Sequence, residues 1–176
     1  MTKKITAFGA SNSKNSINKQ LATYTASLFK NATVEILDLN DYEMPIYSID
    51  YEKQHGFPQL AHDFYAKLGE SDLVIISFAE HNGAYSTAFK NIFDWTSRIN
   101  GKVFQGKPML LLATSPGARG GSSVLEIAKD RFPRQDAKVV GSFSLPSFND
   151  NFDSQIGITN EELKKQLLEI IDSIEF

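Results

Sequence analysis

Three stretches rich in Gly, Ser and Asn hold the side chains and open backbone that could do chemistry. Residues 9–16, Gly-Ala-Ser-Asn-Ser-Lys-Asn-Ser, offer Ser11, Ser13, Lys14 and Ser16, and Asn18 follows just behind. They stand ahead of, or in the first turn of, a segment with helical periodicity. A helix start has N–H groups without intrahelical partners and a partial positive charge, and hydroxyls add donors, so this loop outlines a phosphate site. An ordinary capped helix with a Ser/Asn-rich entrance fits the same residues. The loop is neither a P-loop, since no Gly-Lys-Ser/Thr follows, nor a G-x-G-x-x-G fingerprint. Residues 79–85 contain Glu80, His81 and the pair Asn82-Gly83, which tolerates positive φ cheaply. Residues 115–121, Ser-Pro-Gly-Ala-Arg-Gly-Gly, place Gly117, Gly120 and Gly121 where backbone can approach a flat ligand; a flexible turn before a helix is the alternative.

Bond-breaking machinery is missing from the pattern. The chain has no cysteine, which removes thiolate nucleophiles, disulfides and iron–sulfur ligation. His55 and His62 have no partner at metal-ligand spacing, and Ser115 lacks a Gly-x-Ser-x-Gly elbow. His81 stands alone, and a lone histidine is more often packed or solvated than catalytic. The loops therefore look built to hold a ligand that brings its own reactivity.

The elements around the loops explain why they should meet. Residues 73–78, Leu-Val-Ile-Ile-Ser-Phe, form a short apolar run that reads as a strand buried on both faces. Comparable strands are predicted at 4–8, 33–37, 107–113 and 138–143. Helical spacing follows the first at Ile17, Leu21, Tyr24 and Leu28. After the 79–85 loop, Ser86 or Thr87 can cap a helix carrying Phe89, Ile92, Phe93 and Ile99. Residues 59–68 read as a helix stopped by Gly69, and Ser122 or Ser123 opens another through Val124, Leu125, Ala128 and Phe132. Leu163, Leu167, Ile170 and Ile174 form the stripe of a closing helix. Residues 40–58 read as a loop laid over the surface, and residues 145–153 as a long turn.

Five β-α alternations without a repeat or linker predict one α/β domain spanning 1–176. Its architecture is a three-layer flavodoxin-like fold, with a five-stranded parallel sheet in order 2-1-3-4-5. In that order the loops after strands one, three and four converge where the strand order reverses, at one rim of the sheet. These are the three loops described above.

The totals are those of an ordinary globular chain: 176 residues, 41% hydrophobic, 22% charged, net charge −3. No Lys/Arg cluster predicts a nucleic-acid partner, and no run is long and apolar enough to cross a bilayer. The apolar block at residues 5–8 is too short for a signal peptide, and a cytoplasmic location is expected.

At the three loops the chain resembles the NADPH-dependent FMN reductase family, the flavodoxin-like group of azo-, quinone- and chromate-reducing flavoenzymes. Ser16-Ile17-Asn18 matches that family's Ser-x-Asn, with Ser11 also in place. Ala79-Glu80-His81-Asn82 and Phe89-Lys90-Asn91-Ile92-Phe93-Asp94-Trp95 match its Pro-Glu-Tyr-Asn and Leu-Lys-Asn-x-x-Asp-Trp. Ser115, Gly117, Gly120 and Gly121 match its Ser-x-Gly-x-x-Gly-Gly loop. Pro58, Leu145-Pro146 and Phe152-Asp153 also have counterparts. The chain departs from the family at Ser13, where an arginine is usual, at Ala79 and His81, and in lacking a proline at residues 85–87.

The resemblance implies an FMN-dependent NAD(P)H oxidoreductase that passes hydride from nicotinamide to flavin and on to a small acceptor such as a quinone or free flavin. FMN would be held by Ser11, Ser13, Lys14, Ser16, Ile17 and Asn18 around its phosphate. Glu80, His81, Asn82 and Gly83 would lie along the isoalloxazine and ribityl chain, and Ser115, Pro116, Gly117, Gly120 and Gly121 on the pyrimidine side. No side chain is assigned as catalytic. Lys90, Asn91, Asp94 and Trp95 are expected to brace the helix behind the second loop. A homodimer or homotetramer is implied as well. A flavodoxin-like electron carrier and a flavin-less binding domain of the same fold are the alternatives.

Overall fold

The computed structural model describes residues 2–176. The chain runs β1 (Lys3–Ala10), α1 (Ile17–Ser27), β2 (Ala32–Leu37), a 3-10 turn (Leu39–Tyr42), α2 (Ile49–His55), α3 (Gln59–Gly69) and β3 (Leu73–Phe78). A small hairpin follows, β4 (Glu80–His81) and β5 (Ala84–Tyr85), and then α4 (Thr87–Ile99) and β6 (Pro108–Thr114). The last part is α5 (Ser122–Arg131), β7 (Lys138–Leu145), α6 (Phe148–Asn151), β8 (Phe152–Asp153), β9 (Gly157–Ile158) and α7 (Glu161–Asp172). Five strands form one parallel sheet ordered β2-β1-β3-β6-β7, which is 2-1-3-4-5 when the long strands are counted alone. The flavodoxin-like order expected from sequence is the one observed.

The pleat explains the three layers. Along β3, Val74, Ile76 and Phe78 enter one core while Leu73 and Ile75 enter the other. The first core also takes Phe64 and Leu68 of α3, Phe89, Ile92, Phe93 and Trp95 of α4, and Val124 and Ala128 of α5. The second takes Leu21, Ala22 and Ala26 of α1 with Leu167 and Ile171 of α7. Strands covered on both faces need no polar alternation, which is why β3 is apolar except at Ser77.

Two stretches differ from the sequence reading. Residues 49–55 form a helix capped by Ser48, whose side chain accepts from the N–H of Asp50 and Tyr51. None of its residues is buried, so no apolar period marked it. Residues 145–153 contain a short helix and one strand of a second hairpin rather than a plain turn. Gly69 closes α3 without a positive φ; a Cβ there would stand 2.6 Å from Gln105 Oε1, so its smallness serves packing. Among the described residues no helix is long and apolar enough to cross a membrane.

Candidate functional site

The first loop leaves β1 at Ala10 and enters α1 through Ser16. Ser16 caps that helix, its hydroxyl accepting from Lys19 N at 3.1 Å. Gly9 lets the helix start approach the strand: a Cβ there would lie 2.4 Å from Lys19 N. Within the loop, Ser11 N donates to Gly9 O, Ser13 N to Ser11 Oγ and Ser16 N to Ser13 O. The N–H groups of Asn12, Lys14, Asn15, Ile17 and Asn18 have no partner among the described residues. Residues 9–18 contain no carboxylate. The loop is thus a turn of free donors at the positive end of an eleven-residue helix.

The Asn18 side chain also has a structural role. It is 3% exposed and turned into the protein. Its Oδ1 accepts from Ser77 Oγ at 2.7 Å and from Thr114 N at 3.1 Å, while Nδ2 donates to Thr114 O at 3.1 Å. The β3–β6 pairing ends at Phe78 and Ala113. The Asn18 amide supplies the next rung, standing in for a peptide group opposite Thr114. Only its main-chain N–H remains for a ligand.

The second loop is a two-residue hairpin. Asn82 and Gly83 have φ of 52° and 78°, the double positive φ of a tight type I′ turn, and Glu80 pairs with Tyr85 and His81 with Ala84. Both turn residues are exposed at the tip, and the His81 side chain is exposed as well. Behind the hairpin, burial pushes the Tyr85 hydroxyl well above the usual tyrosine range. Ser86 caps α4 by accepting from Phe89 N, and its hydroxyl donates to Ala10 O at 2.8 Å, tying the second loop to the first. Glu80 reaches the other way: Oε2 accepts from Val124 N of α5 at 3.0 Å.

The third loop keeps only part of its glycine backbone open. Gly117 meets nothing closer than Ser115 Oγ at 3.9 Å. Gly120 (φ 57°) is buried, and a Cβ on it would lie 2.5 Å from Ser144 Oγ and 2.9 Å from the Leu145 carbonyl oxygen. Gly121 is the N-cap of α5, in the left-handed region and packed on Ala113. On the side a Cβ would occupy, Gly120 packs against β7 and Gly121 against β6. The loop is pinned outside by Ser147 N to Gly117 O and Phe148 N to Ser115 O, both 3.0 Å.

These loops enclose a cleft of about 280 Å³ at the carboxyl rim of the sheet. Of the residues singled out in sequence, Ser11, Ser13, Ser16, Ile17, Asn18, Glu80, His81, Ser115 and Pro116 line it. Asn15, Ala79 and Thr114 line it too. Asn15 lies within the loop whose composition marked it, and Thr114 follows directly on the strand expected at 107–113, at the start of the third loop. Lys14 lies beside the cleft, on a groove between α1 and residues 152–157 that shares Asn15 and Ser16 with it. Asn82, Gly83 and Gly117 sit outside the lining. A neighbouring cavity of about 330 Å³ adjoins the cleft at His81, bounded by Asn12, Tyr42, Met44, Ile46 and Thr87 among others. Its outer wall, residues 43–47, is fastened to α4. Asn91 Oδ1 accepts from Tyr47 N, Asn91 Nδ2 donates to the Met44 and Pro45 carbonyls, and Trp95 Nε1 donates to Pro45 O at 2.7 Å. Asn91 and Trp95 therefore brace α4, while Lys90 and Asp94 pair on its exposed side.

A donor-rich loop and two further loops at the switch point of a 2-1-3-4-5 sheet define a flavodoxin-like ligand-binding protein. The sequence profile of the NADPH-dependent FMN reductases matches residues 3–150, and the chain belongs to that family. A Mycoplasma pneumoniae protein named only as an uncharacterised homologue is 33% identical over 154 residues, covering 85% of this chain and 90% of that one. The 2-hydroxy-1,4-benzoquinone reductase of a Burkholderia species is 35% identical over 122 residues, covering 68% of this chain and 64% of that enzyme, just under two thirds of its length. Among solved structures, FerB, a flavoenzyme NAD(P)H:(acceptor) oxidoreductase from Paracoccus denitrificans, superposes with a TM-score of 0.76 at 23% identity. That match covers 97% of this chain and 94% of FerB, a likeness of fold.

Proposed function

We propose that the protein is an FMN-dependent NAD(P)H oxidoreductase acting on a small acceptor such as a quinone or free flavin, with residues 1–176 working as one FMN-binding domain. The observation that carries this reading is the donor set of the first loop. Of the five N–H groups there without a partner among the described residues, three belong to cleft-lining residues, Asn15, Ile17 and Asn18. Ser11 and Ser13, which bear hydroxyls, also line the cleft, and the loop holds no carboxylate. That set suits a phosphate ester. The rest of the cleft is bounded by residues 79–81 and 114–116, with one carboxylate, Glu80, already committed to Val124 N. The donor chemistry fits a phosphorylated group.

When bound, FMN supplies the hydride and electron transfer. The chain's own part is to hold and place. Ser11, Ser13 and the free N–H groups of residues 12–18 would bind the phosphate; Lys14 adds a point charge beside it. The 79–81 and 114–116 segments would flank the ring system. Asn18, Ser86 and Glu80 keep the three loops in register, so the ring's position would be set by hydrogen bonds within the chain itself. Residues 43–47 and His81 wall the neighbouring cavity, which leaves room for a second small molecule beside the cleft.

A homo-oligomer fits the exposure of Ile46, 77% accessible at the lip of that cavity, with Ile127 exposed beside α4. Sedimentation or light scattering reads that state directly. The family supports a cytoplasmic location. The decisive experiment is titration of purified protein with FMN, followed by steady-state oxidation of NADH and NADPH with and without benzoquinone. Tight binding with acceptor-dependent turnover supports the reading. Binding without turnover points to an electron carrier, and no binding overturns the reading.

A further inference from the structure

The α5 helix starts without a side chain of its own to cap it. Its N-cap is Gly121, and no side chain at that position bonds the first turn. The N–H of Val124, the third residue of the helix, is where an N-cap side chain usually bonds. Glu80 fills that place from a different loop, 44 residues away in sequence, with Oε2 at 3.0 Å from Val124 N. Glu80 is half-buried and also lines the cleft. One carboxylate therefore joins the second wall of the cleft to the third, and stands between the cleft and the positive end of α5.

We propose that Glu80 is a positioning residue that locks the 79–81 segment against the third loop and lowers the preference of the site for reduced over oxidised flavin. The proposal rests on the flavin reading given above. The hydrogen bond fixes the main chain on either side of the cleft, so its loss loosens both walls. The charge acts separately. A helix start left open would favour an anion, and reduced flavin bound as an anion would gain from it. A carboxylate already seated there cancels that field and adds a negative charge to the cleft wall.

Two substitutions separate the bond from the charge. In Glu80→Gln the amide oxygen can still accept from Val124 N, but the charge is gone. In Glu80→Ala both are lost. The full-length variants are titrated with oxidised FMN, their flavin midpoint potentials are measured, and amide hydrogen exchange at the start of α5 is followed in the flavin-free protein. E80Q is expected to bind oxidised FMN within about threefold of the original protein. It is also expected to prefer reduced over oxidised flavin about tenfold more strongly, a rise of about 30 mV for a two-electron couple. E80A is expected to bind FMN about tenfold more weakly and to lose exchange protection at Val124, which E80Q keeps. An unchanged potential in E80Q, or full protection at Val124 in E80A, overturns the proposal. Should the original protein bind no flavin, the functional reading fails, and Val124 exchange alone decides the tie: loss of protection only in E80A supports it, and equal protection in all three refutes it.

Discussion

Replacing Asn18 by alanine tests whether the convergence of the loops is built into the fold or imposed by a ligand. The side chain is 3% exposed and makes three buried hydrogen bonds, two to the Thr114 main chain and one to Ser77 Oγ. Thr114 is 1% exposed and Ser77 fully buried. In Asn18→Ala the Thr114 N–H and C=O and the Ser77 hydroxyl lose their partner together. A buried polar group left unsatisfied costs about 1–3 kcal/mol, but the hydroxyl can rotate and water can enter the space, so the sum is about 2–4 kcal/mol. For a chain of this size that is a fall in Tm of roughly 5–12 °C. Denaturant unfolding of the flavin-free protein, followed through its single tryptophan, Trp95, reads the change directly. FMN affinity should fall with it, because the start of α1 is no longer held to the ends of β3 and β6. A variant with unfolding free energy within about 0.5 kcal/mol of the original would refute the rung assigned to Asn18.

Gly120→Ala should destabilise by about 2–4 kcal/mol, since φ is 57° and the new methyl meets the Leu145 main chain at 2.9 Å; thermal unfolding checks it. Trp95→Phe removes the bond to Pro45 O and part of a fully buried ring system that meets Tyr47 and Tyr51 edge-on. A loss of about 2–3 kcal/mol by circular dichroism and faster proteolysis within residues 43–51 are expected. At the opposite rim, hydrogen bonds from Lys67 and Lys4 hold the Glu35 carboxyl below the usual glutamate range. A lowered folded-state pKa contributes stability above the unfolded value, ~4.3, that is lost as pH falls through the folded one. Glu35→Gln should therefore be less stable than the original by under about 1 kcal/mol at pH 7, with the gap closing below ~pH 4 in parallel urea titrations.

Much of the scaffold was legible because burial on both faces leaves a plain signature. The run 73–78 has no room for polar alternation, and such strands separated by helical periods imply a parallel sheet. The donor loop was legible by composition, since Ser and Asn before a helical period mark a helix start. Other features were not, for physical reasons. Helix α2 buries nothing, so no period betrays it. Gly120 and Gly121 look in sequence like any open glycine loop; only contact with β7 and β6 distinguishes glycine that admits a ligand from glycine that admits the protein's own backbone. Asn18 and Glu80 stand at motif positions, but their side chains bond partners 96 and 44 residues away, which no local pattern encodes.

Those long-range bonds frame the cleft without using Ser13 or His81. The contacts that hold the cleft together, those of Asn18, Ser86 and Glu80 and the Ser147–Gly117 bond, each join two segments of its frame. At Ser13 and His81 the side chains are exposed and make no inter-loop bond among the described residues. Exchange of side chain there leaves the cleft's frame intact and alters what a ligand meets at its edge. On the proposed function, His81, which lines both the cleft and its neighbouring cavity, would influence which acceptor enters, while backbone donors that any residue provides would hold the phosphate.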